Sequence, residues 1–204
     1  HECWGLNDYA KHRAEMLAEM GYAAFALDMY GDNKVTTHAK DAKGWSTQIT
    51  ENTDAWRRRA LAGLATLKAS PQVDAERLAA VGYCFGGSTV MQMAYAGADL
   101  DGVVSFHGSL PTPAEGEGRQ IKASVLAAHG EADTFVPADK VAAFKAALEA
   151  AKVDWEFLTY GGAVHAFSNP DAASYGIPNV AYDERADKRS WAAMEGFLKE
   201  VFSR

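Results

Sequence analysis

Cys84 stands in the run Gly82-Tyr83-Cys84-Phe85-Gly86-Gly87, a thiol framed by glycines where an apolar stretch gives way to a helical pattern. The form G-x-[nucleophile]-x-G is that of a nucleophile elbow, in which a strand turns sharply into a helix and projects one reactive side chain. Residues two before and two after must be small so that strand and helix can approach, and Gly87 adds room. Such a turn sets the cysteine at a helix N-terminus, where partial positive charge favours thiolate. It also leaves the Phe85 N–H facing a developing oxyanion. The alternative for Cys84 is a buried thiol that only fills space.

An elbow nucleophile works with an acid and a histidine that follow it in that chain order. Asp133 lies in "HGEADTFVP" and His165 in "YGGAVHAF", each just beyond an apolar strand-like run. Cys84, Asp133 and His165 are therefore the expected catalytic set. His107 and His129 sit on strand ends, His107 as a pocket-lining residue and His129 as a structural one. Asp99 and Asp101 precede a strand and belong at the opposite edge of a sheet, and Glu131 reads as a solvated carboxylate.

These residues need a scaffold that brings several strand ends together. Asn7 is an N-cap for an amphipathic helix that carries Tyr9, Met16, Leu17 and Met20 and stops at Gly21. A strand is expected at 22–28, a long polar loop over 31–50 and a helix over 51–69. Then come strand 78–83, helix 88–97, strand "DGVVSFHG", strand "ASVLAAHG", helix 138–151, strand "VDWEFLTY" and a final helix near 183–202. Short apolar strands alternating with helices predict one α/β domain over 1–204, with a mostly parallel sheet covered on both faces. Ligands of such sheets sit beyond the carboxyl ends of the strands.

Composition narrows the function classes. An excess of 27 acidic over 20 basic side chains, net −7, opposes phosphate-backbone binding, and the run Trp56-Arg57-Arg58-Arg59 reads as a solvated helix face. No apolar run approaches the roughly 18 residues of a membrane span. Two cysteines make no disulfide framework, so a reducing, cytoplasmic setting is expected. Neither metal-ligand spacing nor a nucleotide-binding glycine pattern occurs among the six histidines and 18 glycines, so neither metal nor cofactor is expected. The expected partner is a small molecule, with the protein a monomer or small homo-oligomer.

With the elbow, the aspartate loop and the histidine loop in place, the sequence resembles the dienelactone hydrolase family of α/β-hydrolases. The stretches that carry the resemblance are "HECWGLND", "GYAAFALDMYG", "VGYCFGG", "HGEADTFVP" and "GGAVHAFSNP", which together span the chain. The resemblance implies cleavage of esters or lactones through a cysteine acyl-enzyme, as in carboxymethylenebutenolidases, without metal or cofactor. It also implies that Glu2 manages the thiol proton and that the Cys3 N–H joins Phe85 as second oxyanion donor.

Two departures bear on this. Family members that process dienelactone hold its carboxylate with arginines, one of them four residues after the catalytic histidine; here that place is Asn169. A neutral ester or lactone is therefore expected, in a pocket lined by some of Trp4, Phe85, Phe106, His107, Phe135 and Phe167, with Asn169 nearby. In the family, the strand that leads into "HE-x-x-G" lies between strands 22–28 and 78–83. An upstream strand is therefore expected in the natural polypeptide, since a slot two spacings of about 4.8 Å wide would otherwise interrupt the sheet. Two rival functions are a non-catalytic binding protein on this fold and a thiol redox sensor with Cys3 as resolving partner of Cys84.

Overall fold

The computed structural model describes residues 1–204. Helix α1 spans Asp8–Glu19, and Asn7 caps it by accepting a hydrogen bond from the Ala10 N–H. Helices α2 (Ala39–Thr50) and α3 (Thr53–Lys68) follow. Strand β1 (Ala79–Tyr83) turns at once into α4 (Phe85–Tyr95). The remainder comprises β2 (Gly102–Phe106), β3 (Ser124–Gly130), α5 (Ala138–Ala150), β4 (Trp155–Tyr160) and α6 (Glu184–Val201).

The four strands pair in chain order β1-β2-β3-β4, all parallel, with Tyr83 beside Phe106 and Phe106 beside Ala128 at the carboxyl edge. Side chains of β2 and β3 alternate between two apolar layers, as the period of two requires. Val103, Val125 and Ala127 pack with Met91, Phe144 and Leu148 on one face. Val104, Phe106, Leu126 and Ala128 pack with Met194 and Phe197 on the other. Full burial of one such aliphatic or aromatic side chain contributes roughly 1.5–3 kcal/mol, so these layers fix the sheet and with it the spacing of the strand ends.

Three sequence expectations are corrected. Residues 39–50 form a helix rather than loop: Ala42, Trp45 and Ile49, spaced three and four apart, face the core although polar residues surround them. Helix α4 starts at Phe85 and not at Ser88, because the positive φ of Cys84 reverses the chain within one residue. Residues 22–28 form no ladder with the four-stranded sheet, so the strand expected there is not part of it. The space there is a cavity of about 580 Å³ lined by apolar residues including Ala24, Ala26, Leu64, Leu78, Ala80 and Met93, along the edge of β1 that does not face β2. The basic run is also more than a solvated face. Arg57 pairs with Glu117 through two nitrogens at 2.6 and 2.8 Å and also donates to Gln92, so it ties α3 to α4 and to the loop before β3. No helix is long and apolar enough to cross a membrane.

Candidate active site

The elbow is built as its glycines require. Cys84 has φ +52° and ψ −111°, a strained conformation for a residue with a Cβ, and its N–H is fixed to the Phe106 carbonyl at 2.9 Å. A Cβ on Gly82 would lie 2.0 Å from the Gly86 carbonyl oxygen, so only glycine lets β1 and α4 cross there. As the first residue of α4, Phe85 carries an N–H that no carbonyl within the helix can accept.

Three strand ends then converge. His165, in the loop after β4, places Nε2 3.2 Å from the Cys84 Sγ, and its Nδ1 lies 2.8 Å from Asp133 Oδ2. Asp133, after β3, is buried, and its other oxygen accepts the Phe135 N–H at 2.9 Å. Burial opposes charge on the imidazole, yet Cys84 and Asp133 outweigh it and push His165 up to about 10. Two effects act against the helix N-terminus that favours a Cys84 thiolate. The adjacent Cys3 side chain and burial push the thiol well up, while His165 pulls it down. The rise at His165 depends on charge at the Cys84 sulfur, so one proton is shared across the Sγ–Nε2 contact, held on sulfur by Cys3 and burial and drawn to the imidazole by Asp133.

Cys3 is held by Tyr30, whose hydroxyl donates to the Cys3 carbonyl at 2.9 Å and whose ring lies 5.6 Å from that of Phe85. Tyr30 thus supports both residues expected to bind an oxyanion, a role nothing in the local sequence pattern signalled. Both cysteines are free thiols. Glu2 is fully buried; Asn169 Nδ2 donates to its Oε2 at 2.6 Å, and Oε1 has no partner. Burial pushes Glu2 up to about 7, with the Asn169 hydrogen bond opposing.

That shift has a measurable consequence. A carboxyl raised from 4.5 to about 7 on folding costs nothing below pH 4.5, where both states hold the proton. Stability falls as pH rises through the window from 4.5 to 7, by about 3 kcal/mol, and is flat above it. Glu2→Gln removes this fall. Urea midpoints at pH 5 and pH 8 should therefore converge in the variant relative to wild type, and equal pH dependence in both proteins would reject the assignment.

Of the residues expected around a substrate, only Phe135 is open to solvent, at 52% exposure, with its ring 5.1 Å from that of His165. Trp4, Phe85, Phe106, His107, Phe167 and Asn169 are buried, so they back the wall of the site rather than form its surface. Trp4 is covered by Tyr175, stacked at 3.7 Å, and Asn169 is engaged by Glu2. His107 bonds Ser168 through Nε2 at 2.7 Å, and burial holds it neutral, well below its ordinary range. His129 is buried, 5.6 Å from Phe157, and takes no part in the hydrogen bonds that join Asp133, His165 and Cys84. Asp101 lies at the far end of the sheet, where it accepts the Leu78 N–H at 2.8 Å. No group of three or more His, Cys, Asp or Glu side chains is placed to hold a metal ion.

A parallel sheet flanked by helices, with a strained nucleophile elbow and an aspartate and a histidine on later strand ends, defines an α/β-hydrolase. Residues 1–202 match the model of the dienelactone hydrolase family, and the chain belongs to that family. A solved dienelactone-hydrolase-like promiscuous phosphotriesterase from metagenomic libraries is 43% identical with a TM-score of 0.96, covering 98% of this chain and 84% of its own. An uncharacterized protein of Caenorhabditis elegans is 39% identical over 70% of this chain and 91% of its own length. An α/β-hydrolase from a Medee basin deep-sea metagenome shares the fold at 20% identity, with a TM-score of 0.64 over 99% of this chain and 81% of its own. The protein is a hydrolase of the dienelactone hydrolase type that acts on a small molecule.

Proposed function

We propose that the protein hydrolyses neutral carboxylic esters or lactones through an acyl-enzyme on Cys84. The observation that carries this is the unbroken line of hydrogen bonds from Asp133 through His165 to the Cys84 sulfur, at the edge where strand ends meet. His165 takes the thiol proton, and the thiolate attacks the substrate carbonyl. The N–H groups of Phe85 and Cys3 hold the oxyanion, each worth about 3 kcal/mol of barrier. The alkoxide or enolate leaves with the proton from His165, and water activated by the same imidazole then cleaves the thioester. No metal or cofactor enters these steps.

Neutrality of the substrate follows from where the nearby cationic groups are engaged. Asn169 stands where an arginine would hold a carboxylate, and it is buried against Glu2. Arg13 is neutralised by Asp187 at 2.6 Å, and Arg59 donates to the Met29 and Tyr30 carbonyls. The phosphotriesterase activity named for the 43%-identical relative supports a second substrate class of the same kind, neutral phosphotriesters.

The test is intact-mass analysis during p-nitrophenyl acetate turnover. The expected result is a burst with an adduct of about 42 Da on the peptide that contains Cys84. Neutral lactones should then be turned over at least about tenfold faster than carboxylate-bearing analogues, because Asn169 offers no guanidinium and Arg13 and Arg59 are already engaged. Steady turnover without a Cys84 adduct, or preference for the anionic lactone, would sink the corresponding half of the proposal.

A further inference from the structure

Arg13, on α1, and Asp187, on α6, meet beneath the loop that carries His165. They are 5% and 8% exposed, and Arg13 Nη2 lies 2.6 Å from Asp187 Oδ1. The same nitrogen donates to the Ser168 carbonyl, and Tyr182 donates its hydroxyl to the other Asp187 oxygen at 3.1 Å. The guanidinium carbon sits 5.2, 5.8 and 5.2 Å from the ring centres of Tyr9, Tyr83 and Trp191, so aromatic faces fix its position. Ser168 is gripped at its side chain too, with Oγ 2.7 Å from both the Tyr9 hydroxyl and His107 Nε2.

Ser168 stands three residues after His165 and directly before Asn169, the partner of Glu2. A clamp on this one peptide therefore bears both on His165, which faces Cys84, and on Asn169, which holds Glu2. The Asn169 N–H returns to the Ala166 carbonyl at 2.9 Å, and Ala166 has φ +59°, so the loop is a tight turn with little freedom of its own. A buried ion pair gives little net stability, because desolvating two charges offsets their attraction. What the pair does supply is direction.

We propose that Arg13 and Asp187 form a positioning latch, in which the guanidinium holds the Ser168 carbonyl and so sets the His165 imidazole at hydrogen-bonding distance from the Cys84 sulfur. The latch rests on the hydrolytic reading for its effect on turnover, but not for its effect on the Cys84–His165 contact. A displacement of about 1 Å at such a contact costs on the order of 10²-fold in rate.

The test compares wild type with Arg13→Met, Arg13→Lys and Asp187→Asn, each assayed below its melting temperature. Two readouts are taken: kcat and KM for p-nitrophenyl acetate, and the pH profile of iodoacetamide alkylation at Cys84, resolved from Cys3 by peptide mapping. Arg13→Met should lower kcat about 100-fold with KM within about threefold, and should move the alkylation midpoint upward by a unit or more as the thiolate loses its imidazole partner. Asp187→Asn should act in the same direction by about tenfold, and Arg13→Lys, which keeps a donor for the carbonyl, should recover part of the loss. Folded variants with wild-type kcat and alkylation profile and only a lower melting temperature would overturn the latch. Failure of all three to fold would do the same, by making the pair purely structural. If wild type forms no acyl adduct, the hydrolytic reading fails, and the alkylation profiles still decide the latch.

Discussion

Cys84→Ala will abolish ester hydrolysis, with kcat for p-nitrophenyl acetate falling by at least about 10⁴-fold and no residual burst. On the proposed mechanism the acyl group rests on Cys84, the residue raised on the elbow at φ +52°, with His165 Nε2 3.2 Å from its sulfur. His165→Gln will cost nearly as much, because burial and Cys3 hold the thiol protonated and no other base lies in line with it. The double variant will be scarcely worse than either single one. Thiol and imidazole act as a unit, so removal of one leaves the other without a task, and their losses do not add. Losses that multiply would show the two residues acting independently, and retention of more than about a tenth of activity in Cys84→Ala would place the nucleophile elsewhere. Steady-state rates need a correction for uncatalysed ester hydrolysis, measured at each pH.

The parts of the site legible in the sequence were those written in local patterns. Gly82, Gly86 and Gly87 around Cys84 marked a strand-to-helix turn because steric rules for glycine act over five residues. Asp133 and His165 were found because each follows an apolar run, and those runs are β3 and β4. The fold class followed from the same alternation. Helix α2 was missed although Ala42, Trp45 and Ile49 already had helical spacing, because three apolar residues among nine polar or small ones carry a weak period. The run 22–28 has the composition of a strand, but pairing depends on distant backbone that a local pattern does not specify.

What lay beyond reach was the supporting shell. Arg13 meets Ser168 and Asp187 across 155 and 174 residues, and Tyr30 reaches Cys3 across 27. No window of sequence contains both ends of such a bond, and each residue alone is an ordinary helix or loop side chain. Asn169 illustrates the intermediate case. Its type at that position already argued against carboxylate recognition, but its hydrogen bond to a buried Glu2 became visible only once α1, the His165 loop and the elbow were packed together.

Gly82→Ala offers the sharpest test that the elbow's backbone, and not just its thiol, is required. The added methyl would sit 2.0 Å from the Gly86 carbonyl oxygen, 2.2 Å from its carbon and 2.6 Å from the Gly87 nitrogen. All three are backbone atoms, so no rotamer change relieves the clash, and the start of α4 must move away from β1. Overpacking a tight core usually costs 1–3 kcal/mol, and a rigid backbone contact puts this case at or above about 3 kcal/mol. The displacement carries Cys84 and the Phe85 N–H with it, so protein that still folds should lose about 100-fold or more in kcat. Gly44→Ala in α2 is the matched control. Nothing lies within 4 Å of its added methyl, and a helical glycine replaced by alanine should raise stability by roughly 0.5–1 kcal/mol without touching activity. Urea unfolding and ester turnover on both variants separate the cases. A Gly82→Ala protein as stable and active as the control would mean that β1 and α4 do not cross as closely as the elbow demands, and the oxyanion geometry assigned to Phe85 would fall with it.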